Sequence, residues 1–264
     1  MPKLRADQLL VERGLVESRA LAQRLVMAGQ VRAAGQVVPK PATMLDAETS
    51  LEVEAGPRYV SRGGLKLEAA LQGFMLEVEG KVCADVGAST GGFTDCLLQH
   101  GASRVYAIDV GRGQLHWKLR QDARVVVMEE TNARLLEALP EAVDLATMDA
   151  SFISLKALLP GIRNWLRADG QVVALIKPQF EAGRAEASRG KGVIRDAEVH
   201  RRVLEDVLEF AQGRGFGVQG LMASPVRGPK GNVEFLVEMQ LAGEAHTNLA
   251  GLVEAALAEA LEDA

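Results

Sequence analysis

The sequence predicts an α/β protein, a doubly wound parallel sheet preceded by a small α+β domain, and three observations carry that prediction. From residue 80 onward, aliphatic strand-like runs alternate with helix-length segments, the pattern of consecutive βαβ units. A glycine-rich turn, Gly87-Ala88-Ser89-Thr90-Gly91-Gly92, follows the first of these runs and opens a helical pattern. A Gly56-Pro57 break separates this body from a head of two short helices and a hairpin,.

The bulk properties agree. A chain of 264 residues suits one medium domain plus a small one,. With 48% hydrophobic and 25% charged residues it reads as soluble and globular,. Aliphatic runs such as Val172–Ile176 are far too short to span a bilayer,. Lys3 and Arg5 run directly into Asp7 and Glu12 with no apolar signal core, so the expected location is the cytoplasm and no membrane partner is expected,. Cys83 and Cys96 sit in apolar contexts and in no ligand cluster; core packing is expected for both, and no metal,.

The net charge of −5 hides an uneven distribution. Residues 244–264 carry five acidic residues and no Lys or Arg, whereas residues 1–40 carry seven basic residues against Asp7, Glu12 and Glu17. A basic head on a balanced body is what phosphate contact needs.

In the head, residues 7–13 and 18–28 read as helices, the second with Ser18 as N-cap, Gly29 just past its end, and an apolar stripe of Leu21, Leu25 and Val26,. Val31–Val38 reads as a hairpin around Ala34-Gly35, and Leu51-Glu52-Val53 as a closing strand,. This pattern, with Gly14, Ser18-Arg19, Ala22, Gly29, Val31 and Gly35 so placed, resembles the S4 RNA-binding domain over about the first 55 residues. The resemblance implies that Arg19 and Arg24 face folded RNA, with Arg5 and Arg62 as further phosphate contacts. The expected division is an S4-like domain over 1–56, a linker over 57–62, a catalytic domain over 63–243 and an acidic C-terminal helix over 244–264.

In the body, strands are expected at Val82–Val86, Arg104–Asp109, Arg124–Met128, Val143–Asp149 and Gln171–Ile176, with helices between them. Two further strands, Gly217–Ser224 and Val233–Gln240, follow a long helix at about 196–213. The turn after the first strand lacks the G-x-G-x-x-G spacing of a dinucleotide site, and Phe93 stands where a P-loop needs Lys,. The remaining reading is an S-adenosylmethionine loop built from Asp85, Gly87, Ala88, Ser89, Gly91, Gly92 and Phe93. Asp109, closing the second strand, is placed to accept ribose hydroxyls, or else to cap the turn at Gly111,. Asn132, beside Glu130, is placed to meet adenine, or else to cap a turn,.

The acceptor chemistry narrows by residue type. No cysteine lies where a cytosine-5 enzyme needs its nucleophile, and no Asn or Asp precedes Pro-Pro-aromatic as in amino-methylating enzymes. Asp149 ends the fourth strand instead, and Lys177 follows the fifth in Ile176-Lys177-Pro178-Gln179-Phe180. A lysine at the end of a buried strand needs carboxylate partners or must lose its proton. Lys66, Asp149, Lys177 and Glu234 match, in order, the Lys-Asp-Lys-Glu tetrad of the RrmJ/FtsJ-related ribose 2′-O-methyltransferases. The words SRGGLKL, DVGASTGGFTDCLL, DVGRGQL, DASFISL, LIKPQFE and GNVEFLV resemble the TlyA (hemolysin A) family, which joins an S4 domain to that catalytic fold.

The resemblance implies a Rossmann-like S-adenosylmethionine-dependent methyltransferase acting on a ribose 2′-hydroxyl, of cytidine in ribosomal RNA of one subunit or both. Lys177 would take the hydroxyl proton or orient the hydroxyl, Asp149 would orient Lys177, and Glu234 would hold Lys66 or the ribose. Burial and the ammonium of Lys66 ease proton loss from Lys177 while the carboxylates oppose it, and the sequence leaves both roles open. Two rival readings are a non-catalytic S4-type RNA-binding assembly factor and a membrane-lytic protein. The intact loop and tetrad count against the first. The acidic polar face of the amphipathic segment Leu249–Leu261 counts against the second, because anionic lipid would repel it.

Overall fold

The structure, a computed structural model, describes residues 3–54, 56–183, 186, 190–244 and 246–262. It divides into two compact units, one through Arg58 and one from Tyr59.

In the first unit β1 (Lys3–Arg5) leads into α1 (Ala6–Glu12) and α2 (Arg19–Met27), followed by β2 (Val31–Ala33), β3 (Gln36–Val37), β4 (Met44–Asp46) and β5 (Leu51–Val53). Ser18 caps α2, its hydroxyl accepting from the Leu21 amide at 3.3 Å. Ala34 and Gly35 turn the β2–β3 hairpin with φ of 49° and 80°, as tight hairpins require,. β5 closes on β2 antiparallel. The β1–β4 pair was not foreseen: three residues a side are too few to show alternation,. The core is Ala6, Leu9, Leu10, Val16, Ala22, Val26, Val31, Val38 and Leu51. On α2 the fully buried positions are thus Ala22 and Val26, while Leu21 and Leu25, expected in the stripe, flank them partly exposed.

Asp7, on α1, is wholly buried and accepts from Arg5 Nε at 2.9 Å, Arg19 Nε at 3.0 Å and Gln23 Nε2 at 2.8 Å. The Arg5 guanidinium, then Gln23 and Arg19, hold its carboxyl far below the ordinary range against the opposing effect of burial,.

The second unit contains α3 (Gly63–Gly73), β6 (Val82–Val86), α4 (Gly92–Gln99), β7 (Arg104–Ile108), α5 (Trp117–Arg120), β8 (Val125–Met128), β9 (Val143–Met148), α6 (Leu159–Ile162), β10 (Leu166–Ile176), α7 (Pro178–Glu181), α8 (Ala197–Gly213), β11 (Phe216–Ala223), β12 (Phe235–Leu241) and α9 (Leu249–Glu262). Its seven strands run in the order β11-β12-β10-β9-β6-β7-β8. β8, β7, β6, β9 and β10 are parallel, and β12 lies antiparallel between β10 and β11. Chain order reverses between β6 and β9, where ligands of such sheets sit.

Alternate residues of the central strands feed two cores. Ala84, Val86, Val172, Ala174 and Ile176 join one; Cys83, Val173 and Leu175 join the other. A sheet buried on both faces needs continuous apolar runs, which is why these strands were legible. Cys83 and Cys96 are buried thiols in no disulfide, and burial pushes Cys83 up to about 12.

Three expectations need correction. Helices were expected between all strands, but residues 129–142 hold none, α5 and α6 have only four residues each, and a 3-10 turn at Leu155–Ala157 precedes α6. β10 begins five residues early, at Leu166, with a register shift before Gln171. Tyr59–Arg62, expected as linker, lies in the second unit: Tyr59 is buried against Gly64, and the Val60 amide donates to Asp95 at 2.9 Å. The acidic helix α9 buries Val253, Ala256, Leu257 and Ala260 in the same core as α8, and Glu259 accepts from the Ala223 amide at 2.8 Å. Val253 and Leu257 each contribute about 1.5–3 kcal/mol by such burial, the two alanines less,.

Candidate active site

The carboxyl ends of β6, β7, β9 and β10 form one rim. After β6 the chain turns at Gly87 (φ 81°), whose amide donates to Ile108 O at 2.9 Å. A Cβ there would stand 3.0 Å from Ala150 Cα and Asp149 O, so the turn can sit this close to the β9 exit only without a side chain,. Gly91 (φ 96°) caps α4, and a Cβ on it would collide with Leu119 at 2.2 Å. Asp109 ties the two glycine-bearing loops together, accepting from the Ser89 amide at 2.8 Å and the Gly111 amide at 2.7 Å.

Two cavities open here. The larger, about 520 Å³, is walled by Gly87, Ile108, Asp109, Gln114, Asn132 and the 149–153 segment. The smaller, about 290 Å³, is lined by Ala88, Gly92, Phe93, Arg62 and Arg227 and by all four of Lys66, Asp149, Lys177 and Glu234. Gly87, Ser89, Asp149 and Ser151 belong to both, so the cavities share a wall.

The tetrad is two ion pairs. Lys66, in the first turn of α3, lies with Nζ 2.5 Å from Glu234 Oε2, and both side chains are buried. Lys177 Nζ lies 2.5 Å from Asp149 Oδ1 and 3.2 Å from Ser151 Oγ. β12 is antiparallel, so the residue that precedes it reaches the rim where β9 and β10 end. Two ammonium and two carboxylate groups make the tetrad itself neutral, which is how buried charges are tolerated, while Arg62 and Arg227 leave the cavity lining with an excess of basic groups,.

Asp85 and Gly91, expected in cofactor contact, line neither cavity. Asp85 is buried under α4, accepting from Thr94 Oγ1 at 2.6 Å and Thr147 Oγ1 at 3.4 Å. Burial pushes its carboxyl up to about 7; the Thr94 hydrogen bond opposes this and the charge of Asp149 adds to it,. Asn132 does line the larger cavity, and its Oδ1 also caps the next turn through the Arg134 amide at 3.0 Å. Among the basic residues, Arg62 and Arg24 are exposed, whereas Arg5 and Arg19 are drawn onto Asp7.

Sequence reasoning missed two carboxylates that shape the rim. Glu129 accepts from the amides of Gly113 at 2.7 Å and Gln114 at 2.9 Å and pairs with Arg120, which with these amides holds it down at about 2. Glu181 grips the chain after β9, accepting from the Leu155 amide at 2.8 Å. Neither leaves a local signal, since the partner amides belong to other loops.

The strand order, the glycine turn at the switch point and the charged cavity beside it define a Rossmann-like methyltransferase fold. The profile of FtsJ-like methyltransferases matches residues 59–241, and that of the S4 domain residues 4–51. The chain belongs to the FtsJ-like methyltransferase family, in the TlyA group that couples this fold to an S4 domain. It is 44% identical to the 16S/23S rRNA (cytidine-2′-O)-methyltransferase TlyA of Mycobacterium tuberculosis, covering 96% of each chain. It is 49% identical to YqxC of Bacillus subtilis, named as a candidate rRNA methyltransferase, covering 92% of this chain and 87% of that one. A solved Streptococcus thermophilus structure that carries the hemolysin name is 46% identical, covers 100% of this chain and 97% of that one, and superposes with a TM-score of 0.75.

Proposed function

We propose that this chain transfers a methyl group from S-adenosylmethionine to a ribose 2′-hydroxyl of ribosomal RNA, with cytidine as the nucleoside. The observation that carries this reading is the convergence of Lys66, Asp149, Lys177 and Glu234 on one cavity that shares a wall with a second, nucleoside-sized one,. The name of the Mycobacterium tuberculosis relative supports the acceptor. The residues present fit the cofactor: Gly87 leaves room where a Cβ would close the gap, and Asp109 and Asn132 bring acceptors to the larger cavity. When bound, S-adenosylmethionine supplies a methyl group on a sulfonium centre.

The chain's own part is to orient the hydroxyl and manage its proton. Lys177 Nζ, fixed by Asp149 and Ser151, points a hydrogen-bonding group into the acceptor cavity. An ammonium has no lone pair, so Lys177 Nζ takes the O2′ proton only after giving its own to Asp149 Oδ1 or to water,. Kept charged, it orients O2′ by donating to it, and the hydroxyl proton leaves to water. Glu234 fixes Lys66 as a second donor for the ribose. Holding two reactants in register supplies most of the acceleration.

Asp109→Ala in the full chain is expected to weaken S-adenosylmethionine binding by about tenfold to a hundredfold, the loss of charge-assisted hydrogen bonds of about 1.5–3 kcal/mol. Calorimetry settles it; tight NAD or ATP binding with no S-adenosylmethionine binding would overturn the cofactor assignment.

The S4 domain is the proposed RNA anchor. Arg19 is held through Nε with half its side chain exposed, and Arg24 is exposed one turn and a half further along α2. Reversing both to Glu is expected to weaken matched and scrambled RNA alike and to lower the salt slope by about 1 to 2. Equal affinity and slope in a salt series would remove α2 from the interface. Ribosomal RNA as substrate sets the place of action in the cytoplasm. No helix among the described residues is long and apolar enough to cross a membrane.

A further inference from the structure

The loops after β9 and β10 are joined by three successive contacts. Lys177 reaches Asp149 and Ser151, the Phe180 ring meets Phe152 at 5.0 Å, and Glu181 takes Ser154 and Leu155. Between the first contact and the last, the chain is not self-supporting. Phe152 has φ of 64°, a left-handed conformation costly for a residue with a large side chain, and it is 89% exposed, so burial of its own ring does not fix it,. Yet residues 150–153 form a wall of the larger cavity, and Ser151 belongs to both. A strained segment keeps one shape only when its flanks over-determine it.

The Lys177 pair fixes the leading flank. At the trailing flank, Glu181 Oε1 accepts from the Leu155 amide at 2.8 Å and Oε2 from Ser154 Oγ at 2.5 Å. Ser154 Oγ in turn accepts from the Lys156 amide at 3.1 Å, capping the 3-10 turn that follows. Glu181 is half-buried; this burial raises its carboxyl above the ordinary value, opposed by the hydrogen bonds from Ser154 and Leu155,.

We propose that Glu181 is a positioning residue, its carboxylate clamping residues 150–155 in the shape that walls both the cofactor and the acceptor cavity. It acts through Ser154 and Leu155 and touches neither reactant. The proposal rests on the methyltransferase reading for its functional arm and on the fold alone for its structural arm.

Full-length Glu181→Ala, Glu181→Gln and Ser154→Ala are compared by hydrogen exchange of residues 150–158, by S-adenosylmethionine calorimetry and by steady-state methylation of ribosomal RNA. Loss of two hydrogen bonds is expected to speed exchange in 150–158 by about tenfold or more in Glu181→Ala. The cofactor Kd is expected to rise about fivefold or more, and KM for RNA to rise more than kcat falls, as for a lost binding surface rather than a lost chemical group. Glutamine offers Oε1 to Leu155 and Nε2 to Ser154, so it is expected to restore each value to within about threefold. Ser154→Ala loses its bond to Glu181 and also the cap on the Lys156 amide, so it is expected to shift exchange in the same direction, and it serves if Glu181→Ala fails to fold. Exchange and cofactor affinity within twofold of wild type in Glu181→Ala would overturn the clamp, as would a glutamine variant no better than alanine. If wild-type protein binds no S-adenosylmethionine, the functional reading fails while the exchange data still decide the clamp.

Discussion

Replacing Lys177 by alanine is expected to slow methyl transfer by about a thousandfold or more, the range for loss of a positioned proton-handling group. Lys177 Nζ is the polar group that β10 delivers to the acceptor cavity, and its contacts with Asp149 and Ser151 give it one orientation. Because its interaction with the hydroxyl matters in the transition state, the loss of rate is expected to exceed by far the loss of cofactor affinity that follows from releasing the leading flank of residues 150–155,. Lys177→Arg separates its two roles. Arginine keeps the charge but does not give up its proton, so an arginine variant as slow as alanine points to proton acceptance, and a rescued one to orientation. Single-turnover rates within tenfold of wild type for the alanine variant would remove Lys177 from the chemistry.

Asp85→Asn is expected to change how stability depends on pH. The Asp85 carboxyl is pushed up to about 7 by burial, above its ordinary value of 3.8. The folded chain therefore holds this proton over an interval in which the unfolded chain has lost it. Its contribution is fully present below about pH 4, falls as pH rises and levels off above about pH 7. At about 1.36 kcal/mol per pH unit the full change approaches about 4 kcal/mol. Asparagine has no proton to lose and still accepts from Thr94. The variant is expected to gain on wild type from about pH 4 to about pH 7 in denaturant unfolding, and to gain no further above that,. Parallel pH curves would show that Asp85 is ionised in the folded protein at neutral pH.

How much of this was legible follows from where each signal is stored. The parallel strands show because both faces are buried, which forces aliphatic runs such as Val172–Ile176,. The missing helix at 129–142 was not legible, because what holds that stretch is tertiary: Glu129 reaching the amides of Gly113 and Gln114, and Trp165 Nε1 donating to Leu136 O at 3.1 Å. The tetrad was readable since each member sits in a distinctive word. Its pairing of Lys66 with Glu234 and of Lys177 with Asp149 is a fact of strand direction. Asp85 misled because a carboxylate at a strand end points toward the ligand side or under the following helix, and only the hydroxyl of Thr94 shows which.

The antiparallel strand β12 also sets the order in which the site comes into being. The carboxylate that neutralises Lys66 comes from a residue 168 positions later, at the entrance to a strand hydrogen-bonded on one side to β10 and on the other to β11. Emerging residue by residue, the chain completes the glycine turn, Asp149 and Lys177 well before Glu234 appears. Until β12 slots in, Lys66 has no counter-charge and the acceptor cavity lacks a wall. Such a distant contact is slow to form, so the site is expected to be completed late, when β12 enters between β10 and β11 near one edge of the sheet.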